Sequence, residues 1–491
     1  MKKKQAAIIG AGIAGLASAI RLRAQGHEVS VFEANNYPGG KLTAFEKMGY
    51  RFDMGPSLFT MPHLVEDLFK VAKMPIHKYF SYKKKKNICT YFFEDGTYFE
   101  APADQKEFAK KTAEIFDISE KELVNYLDKN KKKYDLTAPL FLEKSLHKTS
   151  TYLSKKTLKA AVNIGGLDLN ESLSTLNEKT FRDPRLVQFF NRFATYNGSS
   201  PYKTPGIMSM IPHLEQHFGT YFPVGGMHQI TLSLFNLAKD IGVKFEFNSP
   251  VDEIITQEKR ATGILVKKKR IQADLVVSNA DIVPTYRRLL PKHKAPKKTL
   301  SQPRSSSALI FYWGIKKTFP QLDLHNIFFS KDYQKEFEHI FEKQSVYDDP
   351  TIYLNISSKD APKDAPKGCE NWFTMINVPN NTGQDWDSVI ERSRTKIIDK
   401  LSRLLKQDIT ELIEQESILD PRTIESKTQS YQGALYGASS NNKFAAFLRH
   451  PNFKSNLQNL YFCGGSVHPG GGIPLCLLSG KIVADLIEKN E

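Results

Sequence analysis

The chain has 491 residues, which is long enough for two domains or one elaborate domain around a large core. Apolar residues make up 40% and charged residues 25%, as in soluble globular proteins, and no run of about 18 uncharged apolar residues predicts a transmembrane helix. The formal net charge of +16 favours an anionic partner, and a membrane surface ranks above nucleic acid because no nucleic-acid-binding motif is present.

The first predicted elements form a strand–helix–strand unit. "AAIIG" is a short apolar strand, "IAGLASAIRLRAQG" predicts a helix that ends at Gly26, and "HEVSVFEA" alternates as a second strand. The start "MKKKQAAIIGAGIAGLASAI" is similar to a signal peptide, but glycines interrupt its apolar part and the helix continues beyond it. We therefore expect no cleavage there.

Helical patterns dominate from about residue 63 to 220. They are "HLVEDLFKVA", "DQKEFAKKTAEIF", "SEKELVNYLDKNKKKYDL" and "DPRLVQFFNRFATY". The stretch "TAPLFLEKSLHKTSTYL" (Thr137–Leu153) is amphipathic in parts. It predicts either a helix that faces a membrane or lines a tunnel, or an ordinary core helix.

The α/β character returns at about residue 221. "GGMHQITLSLFNLAKDIG" predicts a turn and a helix, "VKFEFNSPVDEIIT" a pair of strands, and "ATGILVKKKRIQADLVVSNAD" a hairpin followed by an apolar strand. Residues 291–424 mix the strands "SSALIFYWGI", "PTIYLNIS" and "ENWFTMINV" with the helix "WDSVIERSRTKIIDKLSRLLK". Glycine-rich loops and a last helix follow. This order of elements predicts one domain built from three separate segments of the chain, interleaved with a second domain built from two segments.

The segment "GAGIAG" has the GxGxxG spacing of a dinucleotide-binding loop. Gly10 permits the tight turn, Gly12 lets a pyrophosphate approach the backbone, and Gly15 lets the helix pack on the strand. The free N–H groups of the helix N-terminus then face the phosphates. Glu33 ends the second strand, where its carboxylate can accept hydrogen bonds from a ribose. Together these features predict dinucleotide binding.

A second close-approach point, Gly39–Gly40 followed by Lys41, lies just beyond, and "FDMGPS" adds a Gly-Pro turn. A nicotinamide-binding fingerprint requires neither the second glycine pair nor the Gly-Pro turn. FAD enzymes of the amine oxidase and desaturase superfamily have both features after the first fingerprint, and the sequence resembles them. The segment "LYFCGGSVHPGGGIPLCLLSGKIVADLI" resembles the C-terminal part that completes the FAD site in that superfamily. The resemblance is narrower to bacterial phytoene desaturase-type carotenoid desaturases, in which the HPGxGIP pattern recurs.

The resemblance covers essentially the whole chain and extends to a subfamily. "PGGKLT", "DMGPSLFTMP", "TYNGSSPYKTPG" and "GGSVHPGGGIPL" are most similar to 1-hydroxycarotenoid 3,4-desaturases. Lys41 stands where phytoene desaturases more often have arginine. The resemblance implies an α/β fold, with a Rossmann-like FAD-binding domain (residues 1–62, 221–290 and 425–491). Residues 63–220 and 291–424 would form an interleaved mixed α+β domain that binds substrate and faces the membrane.

The predicted cofactor-binding residues follow from the motifs and from the resemblance. They are Gly10, Gly12, Ile13, Ala14, Gly15, Glu33, Ala34, Gly40, Lys41, Leu42, Gly55, Pro56, Ser57, Val251, Asn279, Ala280, Gly464, Gly465, Gly472, Ile473 and Pro474.

The resemblance implies an FAD-dependent carotenoid desaturase that introduces a C=C bond by hydride transfer to flavin, most closely the 3,4-desaturation of a 1-hydroxycarotenoid. Oxygen or a quinone would accept the electrons. Three alternatives stay open: a phytoene desaturase, an FAD-dependent amine oxidase or isomerase, and a non-catalytic FAD-stabilised scaffold that binds membranes. The apolar segments "FFNRFATY", "PLFL" and "ALIFYW" favour a channel for a lipophilic polyene over a site for a polar amine.

His468 is the titratable residue of the C-terminal glycine cluster, and it either accepts a proton, orients the flavin edge or only hydrogen-bonds the loop. The spacing of His213, Glu215 and His217 is similar to that of metal ligands, but Pro212 interrupts a helix there. No metal site is predicted.

Four lysine-rich runs carry much of the positive charge: "KKKK" (Lys83–Lys86), "KNKKK" (Lys129–Lys133), "KKKR" (Lys267–Arg270) and "KHKAPKK" (Lys292–Lys298). They indicate either an anionic membrane surface as partner or solvated loops. The four cysteines have no metal-ligand or redox spacing, which is typical of a reduced cytosolic protein. We therefore expect a cytoplasmic protein that associates with the inner face of the cell membrane.

Overall fold

The computed structural model describes residues 3–147, 164–442 and 448–489. Its longer α-helices are Ile13–Ala24, His63–Val71, Gln105–Ile115, Glu120–Phe141, Leu173–Thr180, Pro184–Asn191, His228–Asp240, Trp386–Leu405, Pro421–Thr428 and Ile473–Lys489. Shorter helical segments include Arg192–Asn197, Gly206–Met210, Leu214–Phe218, Ile282–Pro284, Lys297–Leu300 and Tyr333–Glu338.

A first sheet gathers strands from the beginning, the middle and the end of the described chain. Its strands are Gln5–Ile9, Glu28–Phe32, Lys244–Glu246, Val251–Gln257, Arg260–Val266, Lys269–Gln272, Leu275–Ser278, Phe453–Lys454 and Leu457–Phe462. Gln5–Ile9 lies at its centre and runs parallel to both Glu28–Phe32 and Leu275–Ser278. The parallel strands and the crossover helix form the Rossmann-like unit that the opening sequence predicts.

Two helices from opposite ends of the sequence pack directly on each other against this sheet. We call Ile13–Ala24 the N-terminal helix and Ile473–Lys489 the C-terminal helix. They cross at Gly480, where an added Cβ would lie only 2.8 Å from the Cβ of Ala17 and 3.0 Å from the carbonyl oxygen of Ala14. A glycine is required here because the helix backbones approach too closely for any larger side chain.

A second large sheet is mostly antiparallel. In spatial order its strands are Ile413–Leu419, Ser307–Ile315, Glu370–Val378, Ile352–Asn355, His325–Phe328, Asn87–Phe92 and Tyr98–Pro102. Two further strand pairs are Ala44–Lys47 with Tyr50–Asp53, and Tyr82–Lys84 with Tyr221–Pro223.

Both faces of the second sheet are covered. One face packs Phe311, Trp313 and Trp372 into a core with the helix Trp386–Leu405. Alternate residues point the other way, and the strand register aligns five of them in one row across five strands. That row is Leu419, Ile310, Met375, Tyr353 and Ile327. We call the side of the sheet that carries this row the cavity face.

The hairpin Asn87–Phe92 and Tyr98–Pro102 differs from the prediction of a region dominated by helices. Its sequence, "NICTYFFEDGTYFE", alternates with period two around a turn. The neighbouring strand His325–Phe328 pairs with Asn87–Phe92 in parallel, which attaches the hairpin to the sheet.

The domain bounds stay a prediction, but core packing favours a shift in the first of them. The helix His63–Val71 buries Val65, Leu68 and Phe69 in the same core as the N-terminal helix. An amphipathic helix belongs to the domain that covers its apolar face. We therefore propose that the first boundary lies beyond residue 71.

Two of the lysine runs are not wholly available to a surface partner, in contrast to the prediction. Lys85 contacts Asp360 at 2.6 Å and Asp323 at 3.2 Å. Lys133 is buried and contacts Asp168 at 2.5 Å, while it donates to the Ser209 hydroxyl at 2.8 Å. A lysine can be buried in this way because its ion pair and its hydrogen bond offset the free-energy cost of removing the charge from water.

One buried carboxyl group predicts a pH-dependent stability. Glu336 accepts hydrogen bonds from the backbone N–H and the hydroxyl of Thr351, and burial raises its pKa from 4.5 to about 7. Between pH 4.5 and about 7, Glu336 is already ionised in the unfolded chain but still protonated in the folded protein. The free energy of unfolding should therefore fall as the pH rises through this range, by up to about 3 kcal/mol. Urea denaturation at about pH 5 and about pH 7.5 measures the fall.

In that experiment Glu336→Gln should flatten the pH profile, because the amide does not titrate. Glu338→Gln on the same helix, where the side chain is more exposed, is the matched control and should keep the wild-type slope. An unchanged slope in Glu336→Gln would show that other groups cause it.

Candidate functional site

The N-terminal helix begins at the edge of a cavity of about 510 Å³. Gly10 has φ +94°, a left-handed conformation that favours glycine, and it turns the chain from the first strand towards the helix. Among the described residues, no side chain caps the helix at Gly12, and the first turn contains no acidic residue. The uncapped N–H groups therefore form an anion-binding helix N-terminus beside the cavity.

The second glycine pair lies against the first loop. The Gly39 N–H donates to the Ala11 carbonyl at 2.9 Å, and Gly39 bridges Gly12 in parallel. A Cβ added to Gly40 would have the Cα of Gly12 as its nearest neighbour, at 3.8 Å. These turns present bare backbone to the cavity, as close approach of a diphosphate requires.

Asn279 joins the middle and the end of the sequence to this loop. Its Nδ2 atom lies 2.7 Å from the position that a Gly12 Cβ would take, and its Oδ1 lies 3.6 Å from Cys463 Sγ. Gly472, in the C-terminal glycine cluster, has φ +104°, and a Cβ added there would meet no described atom within 4 Å. Three distant segments thus surround one backbone-lined space, which we call the glycine cradle (Gly12, Gly39, Gly40, Asn279, Gly464, Gly472).

Most of the predicted cofactor residues border this cavity. They are Gly12, Ile13, Ala14, Gly40, Lys41, Leu42, Gly55, Pro56, Ser57, Asn279, Gly464, Gly465, Gly472, Ile473 and Pro474. The other predicted residues are not part of its lining: Gly10, Gly15, Glu33, Ala34, Val251 and Ala280.

Glu33 is held by backbone rather than exposed to the cavity. Its carboxylate accepts hydrogen bonds from the N–H groups of Ala11 at 2.7 Å and Asn35 at 2.9 Å. It thereby connects the glycine loop to the end of the second strand. Its predicted hydrogen bond to a ribose stays a prediction.

Lys41 is a buried cation at the cavity wall. Its Nζ donates to the carbonyls of Leu435 at 2.8 Å and Ala434 at 3.1 Å. Burial lowers its pKa, and the nearby Asp281 opposes that effect. Lys41 therefore fastens the 434–435 segment beside the glycine cradle.

His468 borders the cavity, but its ring is already hydrogen-bonded. Nε2 lies 2.8 Å from the Lys144 carbonyl, so Nε2 carries the proton and donates it. Burial lowers the pKa of His468 to about 4, which makes the ring neutral at pH 7. These contacts give His468 a role in holding the loop, and its catalytic role stays a prediction.

The remainder of the cavity is largely apolar. The cavity face of the second sheet supplies one wall, and Tyr134, Phe141 and Leu142 supply part of another. Phe141 ends the helix Glu120–Phe141, so the first part of the predicted Thr137–Leu153 stretch lines the cavity. Residues 148–153 of that stretch lie outside the described residues.

Glu215, which belongs to the His-Glu-His pattern, forms an ion pair with Arg192. Arg192 Nη2 donates to its two carboxylate oxygens at 3.0 and 3.3 Å, and both residues border the cavity. Burial raises the pKa of Glu215, and the guanidinium opposes that rise. The rings of His213 and His217 stack on each other, with centroids 4.5 Å apart.

Several cavity residues were not predicted from the sequence. They are Arg192, Glu215, His325, Tyr353, Tyr436 and Arg449. In the strands His325–Phe328 and Ile352–Asn355, period-two alternation would have placed His325 and Tyr353 on the face shared with apolar residues. Arg192 is the cation of the otherwise apolar "FFNRFATY", which is a second usable signal.

The described residues fit FAD. An uncapped helix N-terminus, paired glycine turns and the open position at Gly472 suit a diphosphate and a planar ring beside backbone, and the adjoining apolar space suits a lipophilic substrate. The arrangement is that of a flavoprotein oxidoreductase whose cofactor and substrate share one cavity.

Comparison with known proteins identifies the family. The family described as flavin containing amine oxidoreductase matches residues 13–488, so the chain belongs to it. FAD rather than NAD is thereby confirmed as the cofactor, and the chain is an FAD-dependent oxidoreductase.

Within the family, the chain is 59% identical over 484 residues to the 1-hydroxycarotenoid 3,4-desaturase of Flavobacterium sp. (strain P99-3), with 99% of each chain covered. It is 33% identical to the 4,4'-diaponeurosporene oxygenase of Staphylococcus aureus (strain MSSA476), again with 99% of each covered. These similarities confirm the resemblance to the carotenoid desaturase type.

Solved structures share the fold at low identity. An oxidoreductase from Methanosarcina mazei has a TM-score of 0.64 and 17% identity, with 99% of this chain and 100% of that chain covered. Cyclohexylamine oxidase from Brevibacterium oxydans IH-35A has a TM-score of 0.62 and 17% identity, with 100% and 99% covered. Both confirm the predicted fold class.

Proposed function

We propose that this protein is a carotenoid desaturase that introduces the 3,4 double bond of a 1-hydroxylated acyclic or monocyclic carotenoid. The observation that supports it best is the continuity of one cavity, from the glycine cradle to the row Leu419, Ile310, Met375, Tyr353 and Ile327 on the cavity face, which is apolar except for the Tyr353 hydroxyl. A polyene is long, apolar and flat, so a sheet face of this kind complements it. The 59% identity to a desaturase of that name supports the same substrate class.

Desaturation removes two hydrogens from adjacent carbons, and bound FAD supplies the two-electron acceptor for this chemistry. The chain itself binds and orients the polyene along the cavity face and excludes water from the reacting bond. Asn279 and the bare glycines keep the cradle open beside the substrate space. Oxygen or a quinone is the final electron acceptor that the proposal requires.

The experiment supplies the purified flavoprotein separately with phytoene and with a 1-hydroxylated carotenoid, each with oxygen or a quinone. Absorption and mass after chromatography identify the product. We expect a red-shifted product, lighter by two hydrogens, from the hydroxylated substrate only. Conversion of phytoene would instead identify a phytoene desaturase, and inertness towards every carotenoid tried would refute the proposal.

We also propose that the protein associates peripherally with anionic membranes on the cytoplasmic side. Lys267 and Lys268 form an exposed hairpin turn, and Lys292 contacts Glu253 on a neighbouring strand of the same sheet edge. Two basic runs therefore flank one edge of the first sheet. Within the described residues, no helix is long and apolar enough to cross a membrane.

Replacing Lys267 and Lys268 with glutamine should weaken binding to anionic liposomes roughly thirtyfold at low salt, because each of the two basic residues near such a surface contributes about 1 kcal/mol. Co-sedimentation measures the binding, which should also weaken as salt is added. The matched control replaces Lys106 and Lys110, which are exposed on the helix Gln105–Ile115. Equal losses in both variants, or no wild-type binding at low salt, would contradict the proposed surface.

A further inference from the structure

The cavity is largely apolar, but one part of its lining consists of polar side chains. His325 and Tyr353 lie on the cavity face, and Arg192 and Glu215 lie nearby, so that the charge of Arg192 acts on both His325 and Tyr353. Ser57 connects this group to the glycine cradle, since its hydroxyl lies 2.8 Å from the Tyr353 hydroxyl. We call Ser57, Arg192, Glu215, His325 and Tyr353 the polar corner.

Hydrogen bonds determine the tautomer of His325. The side-chain amide of Asn355 donates to the Leu324 carbonyl at 2.9 Å and to His325 Nδ1 at 3.2 Å. Nδ1 is therefore an acceptor, and the Tyr353 hydroxyl, 2.8 Å away, donates to it as well. Burial lowers the pKa of His325 to about 3, so the ring is neutral and its single proton lies on Nε2.

The Nε2–H group of His325 has no hydrogen-bond acceptor among the described residues, although the side chain is only 2% exposed. Arg192 Nε and the Tyr196 hydroxyl, which also belong to cavity-lining residues, likewise lack partners among them. Each buried polar group left in this state costs about 1–3 kcal/mol. An oxygen atom of a ligand would remove part of that cost, whereas a pure hydrocarbon would not.

The position of the polar corner matches one feature of the substrate. In a 1-hydroxylated carotenoid, a single methylene separates the carbon that carries the hydroxyl from the 3,4 pair. The group that binds the hydroxyl must therefore lie next to the cofactor and not at the far end of the cavity. Ser57 belongs to the turn predicted to contact FAD, and its contact with Tyr353 places the polar corner at that junction.

We propose that His325 donates a hydrogen bond from Nε2 to the hydroxyl oxygen of the carotenoid end group and thereby sets the preference for hydroxylated substrates. Tyr353 and Asn355 are positioning residues, because they keep Nδ1 an acceptor and so keep the proton on Nε2. This inference rests on the proposed function. A site built to hydrogen-bond a hydroxyl discriminates against the analogue that lacks it, because its own polar group is then left unpaired.

The test compares a 1-hydroxylated carotenoid with its counterpart that lacks the hydroxyl and measures kcat/KM for each with the FAD-loaded enzyme. In His325→Phe the ratio of the two values should fall about tenfold, as expected for one lost hydrogen bond. His325→Gln, which retains an N–H donor near the position of Nε2, should keep part of the preference. Met375→Leu, in the same cavity row, is the matched control and should leave the ratio unchanged, because a general packing defect affects both substrates alike.

The outcomes separate the two proposals. If the wild type converts neither carotenoid, the proposed function is wrong and the inference falls with it. If the wild type prefers the hydroxylated substrate and His325→Phe keeps that preference, only the inference is wrong. Should His325→Phe fail to retain FAD, Tyr353→Phe tests the same network: a lower ratio supports the inference, and an unchanged ratio contradicts it.

Discussion

Gly12→Val should release FAD from the protein. Gly12 has φ −68°, so backbone strain is not the cause. Its Cβ would lie 2.7 Å from Asn279 Nδ2, so valine would add bulk to the cradle beside the helix N-terminus. Overpacking of this kind costs about 1–3 kcal/mol, which corresponds to roughly 5- to 150-fold weaker binding. The ratio of flavin to protein absorbance after extensive dialysis measures the loss.

Gly166→Val is the matched control for this experiment. Gly166 also lies outside the left-handed region, and a Cβ there would meet no described atom within 4 Å. It should retain flavin at the wild-type ratio. Full flavin content in Gly12→Val would show that FAD does not lie against Gly12 in the cradle.

Gly480→Val should destabilise the whole molecule. The added side chain would force the N-terminal and C-terminal helices apart, since Ala17 and Ala14 already lie at the limit of contact. We expect a loss of about 3 kcal/mol in the free energy of unfolding. Because both helices begin at the cavity, FAD content should fall together with stability.

Urea denaturation followed by tryptophan fluorescence measures this effect, and Glu488→Val is the control. Glu488 is exposed on the same helix, so valine is introduced there without meeting the other helix. Glycine-to-valine raises helix propensity whereas glutamate-to-valine lowers it, so a larger loss in Gly480→Val comes from the helix crossing. An equal denaturation midpoint for the two variants would refute the close helix crossing.

The local features of the site could be predicted from the sequence. The turn at Gly10, the helix that follows it and the second glycine pair depend on residues within one short segment, so their spacing alone indicates the geometry. The C-terminal cluster required the resemblance, because nothing local at Gly472 shows what backbone it faces.

The polar corner could not be predicted in the same way. His325 and Tyr353 lie on paired strands of the second sheet, whereas Arg192 belongs to the helical segment Arg192–Asn197, far away in sequence. The three residues border one cavity only after this segment and the sheet have assembled. Periodicity reports which face of its own strand a residue occupies, but not which strand lies beside it. The hairpin Asn87–Phe92 and Tyr98–Pro102 is hard to predict for a related reason: strong helical patterns lie on both sides of it in the sequence.

The order in which the cradle is assembled has a consequence for biosynthesis. Asn279 and Cys463, which meet beside the glycine loop, are 184 residues apart in sequence. The N-terminal helix packs on the C-terminal helix, so during translation part of its apolar side stays uncovered until the C-terminal helix has left the ribosome. Such a nascent chain is a target for chaperones and proteases. We therefore expect FAD to bind only after these segments have come together, so that the holoenzyme fraction in a cell depends on its chaperone capacity as well as on its supply of FAD.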